Sequence, residues 1–239
     1  MDLDSKTLSS FKDRAETYDV KMEWVKDREL ILPLLTMPFG SKKMLEICAG
    51  TGVVSAIFKE YGWDVVMLDS SKEMLMKSEK MKSIVGDMHK LPFDDNSFDL
   101  VVCRQGLQYA NLEKVFKEVY RVCKKEFRIA HITKAEEDKF DFWNEYFKTA
   151  SPGRKHIFYP GELEKIAEQN NFKVYNKTIL IKQDNYIGPI MYLSKENQYK
   201  LIDLLINSPD KFKELYDVKI SDTNVTYNNR WEFLTLEKC

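Results

Sequence analysis

The stretch Met44-Leu-Glu-Ile-Cys-Ala-Gly-Thr-Gly-Val-Val-Ser55 decides the fold. A short apolar run carrying an acid, Glu46, passes through a tight loop of small residues into an apolar helical pattern. That order reads as strand, loop and helix. Gly50 and Gly52 remove side chains where the backbone must turn sharply and a ligand must come close, and the following helix aims its free N–H groups at the same place. The loop is a nucleotide-binding device.

Which nucleotide it takes follows from the neighbouring residues. A dinucleotide fingerprint asks for a third glycine or alanine three positions after Gly52, where this chain has Ser55. A pyrophosphate is also repelled by the charge of Glu46 at the mouth of the loop. S-adenosyl-L-methionine carries no phosphate, and its sulfonium and ammonium groups are favoured by that same charge. The acid therefore points to a cationic ligand.

Glu46-Ile-Cys-Ala-Gly-Thr-Gly52 resembles motif I of the class I S-adenosylmethionine-dependent methyltransferases, an acid and a spacer followed by three alternating glycines. Cys48 stands at the first glycine position, as in some relatives of the ubiquinone and menaquinone C-methyltransferases. The resemblance implies an α/β, Rossmann-like, seven-stranded mixed sheet in the order 3-2-1-4-5-7-6, flanked by helices. It implies one methyltransferase domain over 1–239, with an N-terminal helical lid (1–40), a cofactor-binding half (41–135) and a substrate-side half (136–239). A helical cap of about 184–228 is inserted between the last two strands. Motif order carries the likeness over about residues 10–182.

Composition is consistent with this. A chain of 239 residues, 44% hydrophobic and 13% aromatic, can bury one large core. Its 37 basic and 38 acidic residues leave a net charge of −1, which offers no global basic surface to nucleic acid or to an anionic membrane. Cys48, Cys103, Cys123 and Cys239 are scattered without a Cys-x-x-Cys pair, so neither a disulfide framework nor a zinc site is expected. The polar N-terminus and the lack of an apolar run of about 18 residues point to a soluble protein of a reducing cytoplasm.

Residues 5–38 show apolar positions at helical spacing, and Phe11 to Asp19 resembles the segment that folds over the cofactor in small-molecule methyltransferases, which makes Tyr18 a candidate lid. Asp64–Asp69 reads as a second strand ending in an acid, with Ser70 next. Asp69 stands at the place where a nucleotide fold puts a carboxylate to accept bonds from ribose hydroxyls. A helix over Ser71–Lys80 and a strand at Lys82–Val85 lead to Gly86-Asp87-Met88. By resemblance, Asp87 accepts from the adenine amine and Met88 packs on the ring. With Cys48, Ala49, Gly50 and Gly52, these residues form the expected cofactor site.

Leu91 to Arg104 resembles the family's segment through strand four, which ends at Arg104-Gln105-Gly106-Leu107-Gln108-Tyr109. Arg104 and Gln105 are expected at the cofactor, and Gln105 and Tyr109 toward the acceptor. Leu112–Val122 is an amphipathic helix, followed by Cys123-Lys-Lys-Glu-Phe where the family has a Pro-Gly-Gly turn. Phe127–Ile132 is the next strand, placing His131 at the rim. The aromatic run Phe140–Phe147, a helix from Tyr159 toward Phe172, and strands Val174–Ile181 and Arg230–Leu236 complete the sheet. The intervening residues, with helices around Ser194–Ile206 and Pro209–Tyr216, read as a substrate cap or an oligomer contact.

Methyl transfer is an in-line displacement in which the cofactor carries the reactivity. A base matters only if the acceptor must lose a proton, and His131, Tyr109 and Tyr18 are the candidates. No metal is called for. Balanced charge, aromatic segments and a cap favour a small, partly apolar or aromatic metabolite. A peptide or protein acceptor, and a non-catalytic protein that binds the cofactor, are the rival readings.

Overall fold

The structure, a computed structural model, describes residues 5–37, 42–78, 80–221 and 224–239. Its strands are β1 (Lys43–Ile47), β2 (Asp64–Asp69), β3 (Lys82–Val85), β4 (Phe98–Arg104), β5 (Cys123–Thr133), β6 (Phe172–Asn185), β7 (Lys219–Ile220) and β8 (Val225–Lys238). The helices are α1 (Ser5–Arg14), α2 (Tyr18–Lys21), α3 (Val53–Glu60), α4 (Lys72–Leu75), α5 (Leu112–Val122), α6 (Phe142–Ala150), α7 (Glu162–Gln169), α8 (Ile187–Ile190), α9 (Lys195–Ile206) and α10 (Asp210–Leu215).

The sheet runs β3-β2-β1-β4-β5-β8-β6, with the two-residue β7 pairing β8. Strands β1 to β5 are mutually parallel, and β8 is antiparallel to both β5 and β6. Renumbered for β7, this is the expected order. Successive side chains of a strand face opposite ways, and here both faces are buried. Leu100 and Val102 of β4, with Met44, pack under Leu30, Leu34 and Phe58, while Val101 and Cys103, with Leu45 and Ile47, pack under Phe116 and Val119 of α5. Burial on both sides explains why these strands read as continuous apolar runs.

Three expectations change. Residues 23–34 form no long helix but three single 3-10 turns, Glu23–Val25, Arg28–Leu30 and Leu32–Leu34. Asp27 caps the second by accepting from Glu29 N, and Pro33 opens the third; proline is at home in a first turn and not in a helix interior. The turns are held from outside, since Arg128 Nη1 donates to the carbonyls of Leu34 and Leu35 at 3.1 Å each. Helix Ser71–Lys80 shortens to α4 and a 3-10 turn at Met76–Ser78; residue 79 lies outside the described residues, as do 1–4 and 38–40 of the lid. Where a turn through Cys123-Lys-Lys-Glu-Phe was expected before a strand at Phe127, α5 passes directly into β5 at Cys123, whose backbone is already extended (φ −82°, ψ 135°).

The closing hairpin is longer than anticipated. Strands β6 and β8 pair from Phe172↔Lys238 to Asn185↔Thr226, so the inserted segment narrows to 186–224. Together with α6 it forms a separate aromatic core, in which Phe142, Trp143 and Tyr146 pack on Tyr186, Phe212 and Tyr216. The aromatic run of α6 and the insertion are thus one structure.

Phe116 is fully buried and meets Phe127 and Phe172 edge to face at 5.5 and 6.1 Å. Phe116→Ala is expected to cost about 3–5 kcal/mol in urea unfolding; a loss below about 1 kcal/mol would contradict this packing.

Candidate active site

The loop after β1 is built from left-handed residues: Cys48 (φ 55°), Gly50 (φ 54°) and Gly52 (φ 78°). Glycine adopts this region freely and other residues do so at a cost of about 1–2 kcal/mol, so Cys48 holds its position under strain. Gly52 is obligatory for space as well, because a Cβ there would lie 2.6 Å from Met67 Cε and from Ser78 Oγ. Gly106, at the end of β4, makes room for the Cys48 turn in the same way, since its Cβ would fall 2.4 Å from Cys48 Cβ. Gly50 has nothing within 4 Å of that point, leaving its face of the loop open to a ligand.

Two strand-end carboxylates hold the loop. Asp69 Oδ2 accepts from Gly50 N and Oδ1 from Ser71 N, each at 2.8 Å. Burial pushes the Asp69 carboxyl up, and these backbone donors oppose the shift. Glu46, only 2% exposed, accepts from Ser55 N at 2.9 Å and from Ser55 Oγ through Oε2. Ser55, read from sequence as a departure from the dinucleotide pattern, is therefore the partner that seats Glu46 at the N-terminus of α3. A carboxylate is favoured there by the helix dipole. Burial still pushes Glu46 up to about 7, against the Ser55 bonds and the nearby Arg104 charge.

The N-terminal segment closes over this loop. Thr51 Oγ1 donates to Asp19 Oδ1 at 2.7 Å, fastening α2 down. Tyr18 packs edge-on to Trp24 at 6.4 Å, and Phe11 edge-on to Tyr109 at 5.6 Å. Arg104 is 8% exposed, donates through Nη2 to Val25 O at 2.8 Å, and lies 5.1 Å from the centre of the Trp24 ring.

Beneath this cover lies a cavity of about 730 Å³, whose walls include Tyr18, Glu46, Cys48, Ala49, Gly50, Asp69, Ser70, Met88, Arg104, Gln105 and Tyr109. A small recess of about 300 Å³ continues from Cys48, Asp69, Ser70 and Met88 to Gly86 and Asp87. Asp87 Oδ1 accepts from His89 N at 2.9 Å and meets His89 Nδ1 at 2.6 Å, a partnership not anticipated from the sequence. Of the residues expected at the site, Gly52 and His131 line neither space. Gly52 stands behind the loop as the cap of α3.

His131 is the second. It was expected at the rim, yet it is fully buried, with its ring edge against Phe158 at 4.3 Å and no partner for either ring nitrogen. Burial holds its pKa well below the ordinary value, so it is a neutral core side chain. The cause is register: His131 shares the sheet face of Phe127 and Ile129, which points into the main core.

A larger cavity of about 950 Å³ adjoins the first and shares Phe11, Tyr18, Trp24, Gln105 and Tyr109 with it. Its other walls include Trp143, Tyr146, Phe147, Arg154, Asp184, Tyr216, Tyr227 and Asn229. Asp184 accepts from Asn185 N at 2.8 Å and Asn229 Nδ2 at 2.9 Å, and burial pushes it up to about 6. Neither Asp184 nor Arg154 carried a sequence signal; the first lies in the unforeseen extension of β6 and the second in a loop.

The methyltransferase-domain family model matches residues 45–130, which hold the loop, Asp69, Asp87 and Arg104. Over those residues the chain is similar to the class I S-adenosylmethionine-dependent methyltransferases, and its sheet has their fold. S-Adenosyl-L-methionine is this methyltransferase family's cofactor, and the first cavity suits it: an open glycine face, a strand-end carboxylate, and two buried donors without partners, Arg104 Nη1 and Gln105 Nε2. The demethylmenaquinone methyltransferase of Thermotoga maritima is 34% identical over 102 residues, covering 40% of this chain and 44% of that protein. The chain thus matches less than half the length of that relative. YcgJ of Bacillus subtilis superposes with a TM-score of 0.73 at 19% identity, covering 90% of this chain and 98% of that one. Phosphoethanolamine N-methyltransferase 2 of Haemonchus contortus, solved with S-adenosyl-L-methionine, superposes at 0.61 and 20% identity, covering 95% and 60%. Among the described residues, no helix is long and apolar enough to cross a membrane.

The raised pKa of Glu46 makes stability depend on pH. Burial pushes the Glu46 carboxyl up to about 7 in the folded chain, against 4.5 unfolded, so stability falls as pH rises across that window. Glu46→Gln should remove about 2 kcal/mol of that loss between pH 5 and pH 8, read from urea midpoints. An unchanged difference between the two pH values would contradict a buried, protonated Glu46.

Proposed function

We propose that this chain transfers a methyl group from S-adenosyl-L-methionine to a small, partly apolar or aromatic metabolite. The observation that carries this reading is the meeting of two cavities across Phe11, Tyr18, Trp24, Gln105 and Tyr109. In-line transfer needs donor and acceptor side by side, aligned and shielded from water, and an aromatic partition between two adjoining spaces meets that need. A non-catalytic cofactor binder would instead have its acceptor side filled. The names of the Thermotoga and Haemonchus relatives, which act on demethylmenaquinone and phosphoethanolamine, also favour a small acceptor.

In this reading Asp69 holds the ribose hydroxyls, and Asp87 and Met88 the adenine. Glu46 faces the ammonium group, and Arg104 Nη1 and Gln105 Nε2 take the methionyl carboxylate. When bound, the cofactor supplies a methyl group made electrophilic by its sulfonium. Cys48, Ala49, Gly50 and Ser70 shape the walls, and Tyr18 and Trp24 exclude water. Burial raises the pKa of Tyr18 well above that of an ordinary tyrosine, so it keeps its proton and serves as a lid and hydrogen-bond donor. Tyr109, bonded to Ser151 Oγ at 2.8 Å, orients the acceptor. Where the acceptor must lose a proton, Asp184 is the base, since its carboxyl titrates near 6 inside the acceptor cavity.

The test is transfer of tritiated methyl from S-adenosyl-L-methionine into small-molecule fractions of a cell extract. Label in small molecules, with kcat rising as pH climbs through about 6 and falling about 100-fold in Asp184→Asn, is the expected result. Label confined to protein would overturn the substrate class, and a variant that keeps both the rate and the pH profile would remove Asp184 from the chemistry.

A further inference from the structure

The aromatic cavity contains more positive charge than its protein partners neutralise. Three cations line it, Arg14, Lys134 and Arg154, against one acid, Asp184. Lys134 is accounted for, with Asp138 at 3.8 Å and the Phe140 carbonyl and Tyr159 hydroxyl at 3.2 Å. The two arginines are not. Among the described residues no carboxylate lies within ion-pair distance of either.

Arg154 is half-buried, donates through Nε to His156 O at 2.8 Å and has its guanidinium carbon 3.9 Å from the centre of the Phe147 ring, which positions it while, among the described residues, no protein acceptor takes its two terminal nitrogens. Arg14 Nε is buried without a partner, and its guanidinium lies 5.2 Å from the Tyr192 ring. Ring faces attract cations but do not replace a counter-ion, so both half-buried guanidiniums keep capacity for an anion. Asp184 does not offset them, being bonded to Asn185 and Asn229.

We infer that the acceptor carries an anionic group, a carboxylate or a phosphate monoester, which Arg154 and Arg14 bind while the aromatic walls hold an apolar body. This rests on reading the aromatic cavity as the acceptor space. A surface groove shares Phe147, Arg154 and Ile157 with the cavity and is lined by Lys148, Lys155 and His156 as well as by Asp141. A planar guanidinium positioned against a ring is suited to two-point recognition of a carboxylate or phosphate.

The inference is tested by calorimetry on protein saturated with S-adenosylhomocysteine, titrated with 3-phenylpropionate, phenyl phosphate and the neutral 3-phenylpropionamide, and repeated on Arg154→Gln. At least one anion should bind about tenfold or more tighter than the amide, and Arg154→Gln should abolish that preference. Which anion binds better distinguishes carboxylate from phosphate. S-Adenosylhomocysteine affinity should be unchanged in the variant, because Arg154 does not line the cofactor cavity. Amide binding as tight as the anions, binding of neither anion, or a preference that survives Arg154→Gln would overturn the inference. Failure of the wild type to bind S-adenosylhomocysteine would strike the methyltransferase reading instead, and the anion preference would then be decided on the unloaded protein.

Discussion

The bond from Gly50 N–H to the Asp69 carboxylate fixes the geometry on which the rest of the site depends. It joins the turn after β1 to the end of β2, while the second Asp69 oxygen takes Ser71 N–H and starts α4. The neighbouring carboxylate does the same for α3, because Glu46 holds the Ser55 N–H and hydroxyl. Two acids at adjacent strand ends therefore set where two helices begin and leave the glycine loop between them open. In an open α/β sheet this is the edge at which ligands bind, and here two buried acids shape it.

The N-terminal segment completes the enclosure by a different route. It is tied down from the loop and the sheet: Thr51 donates to the Asp19 carboxylate, Arg104 to the Val25 carbonyl, and Arg128 to the carbonyls of Leu34 and Leu35. Leu30, Ile31 and Leu34 anchor its second half in the core, and among the described residues no helix longer than one turn follows α1 in this segment. Tyr18 and Trp24 then belong to both cavities at once. The same side chains thus bound the donor and acceptor spaces of the proposed reaction.

Much of this was legible in the sequence because strand-end chemistry is local. An apolar run, an acid and a glycine turn determine their own geometry, so β1, β2, β3 and α5 fall where the pattern puts them, and Cys48, Gly50, Asp69, Asp87 and Arg104 converge. What was not legible depends on register and on distant partners. Strand β5 begins at Cys123 without a turn, which makes it longer than expected, and its alternation sends His131 into the core. The β6–β8 ribbon extends four residues past the expected end of β6 and brings Asp184 to the acceptor cavity. Ser55 looked like a missing glycine because its carboxylate partner lies nine residues earlier on another element. Arg154 had no periodic pattern around it, and only the packing of Phe147 gives it a place.

The central claim is that the space between Glu46 and Asp69 takes a sulfonium nucleoside and refuses a dinucleotide. Calorimetric titration with S-adenosyl-L-methionine, S-adenosylhomocysteine and NAD, on the wild type and on Asp69→Asn, tests it most directly. The account predicts micromolar binding of the first two, no binding of NAD, and a loss of about tenfold or more in the variant. Binding of NAD alone, or wild-type affinity retained by Asp69→Asn, would contradict it.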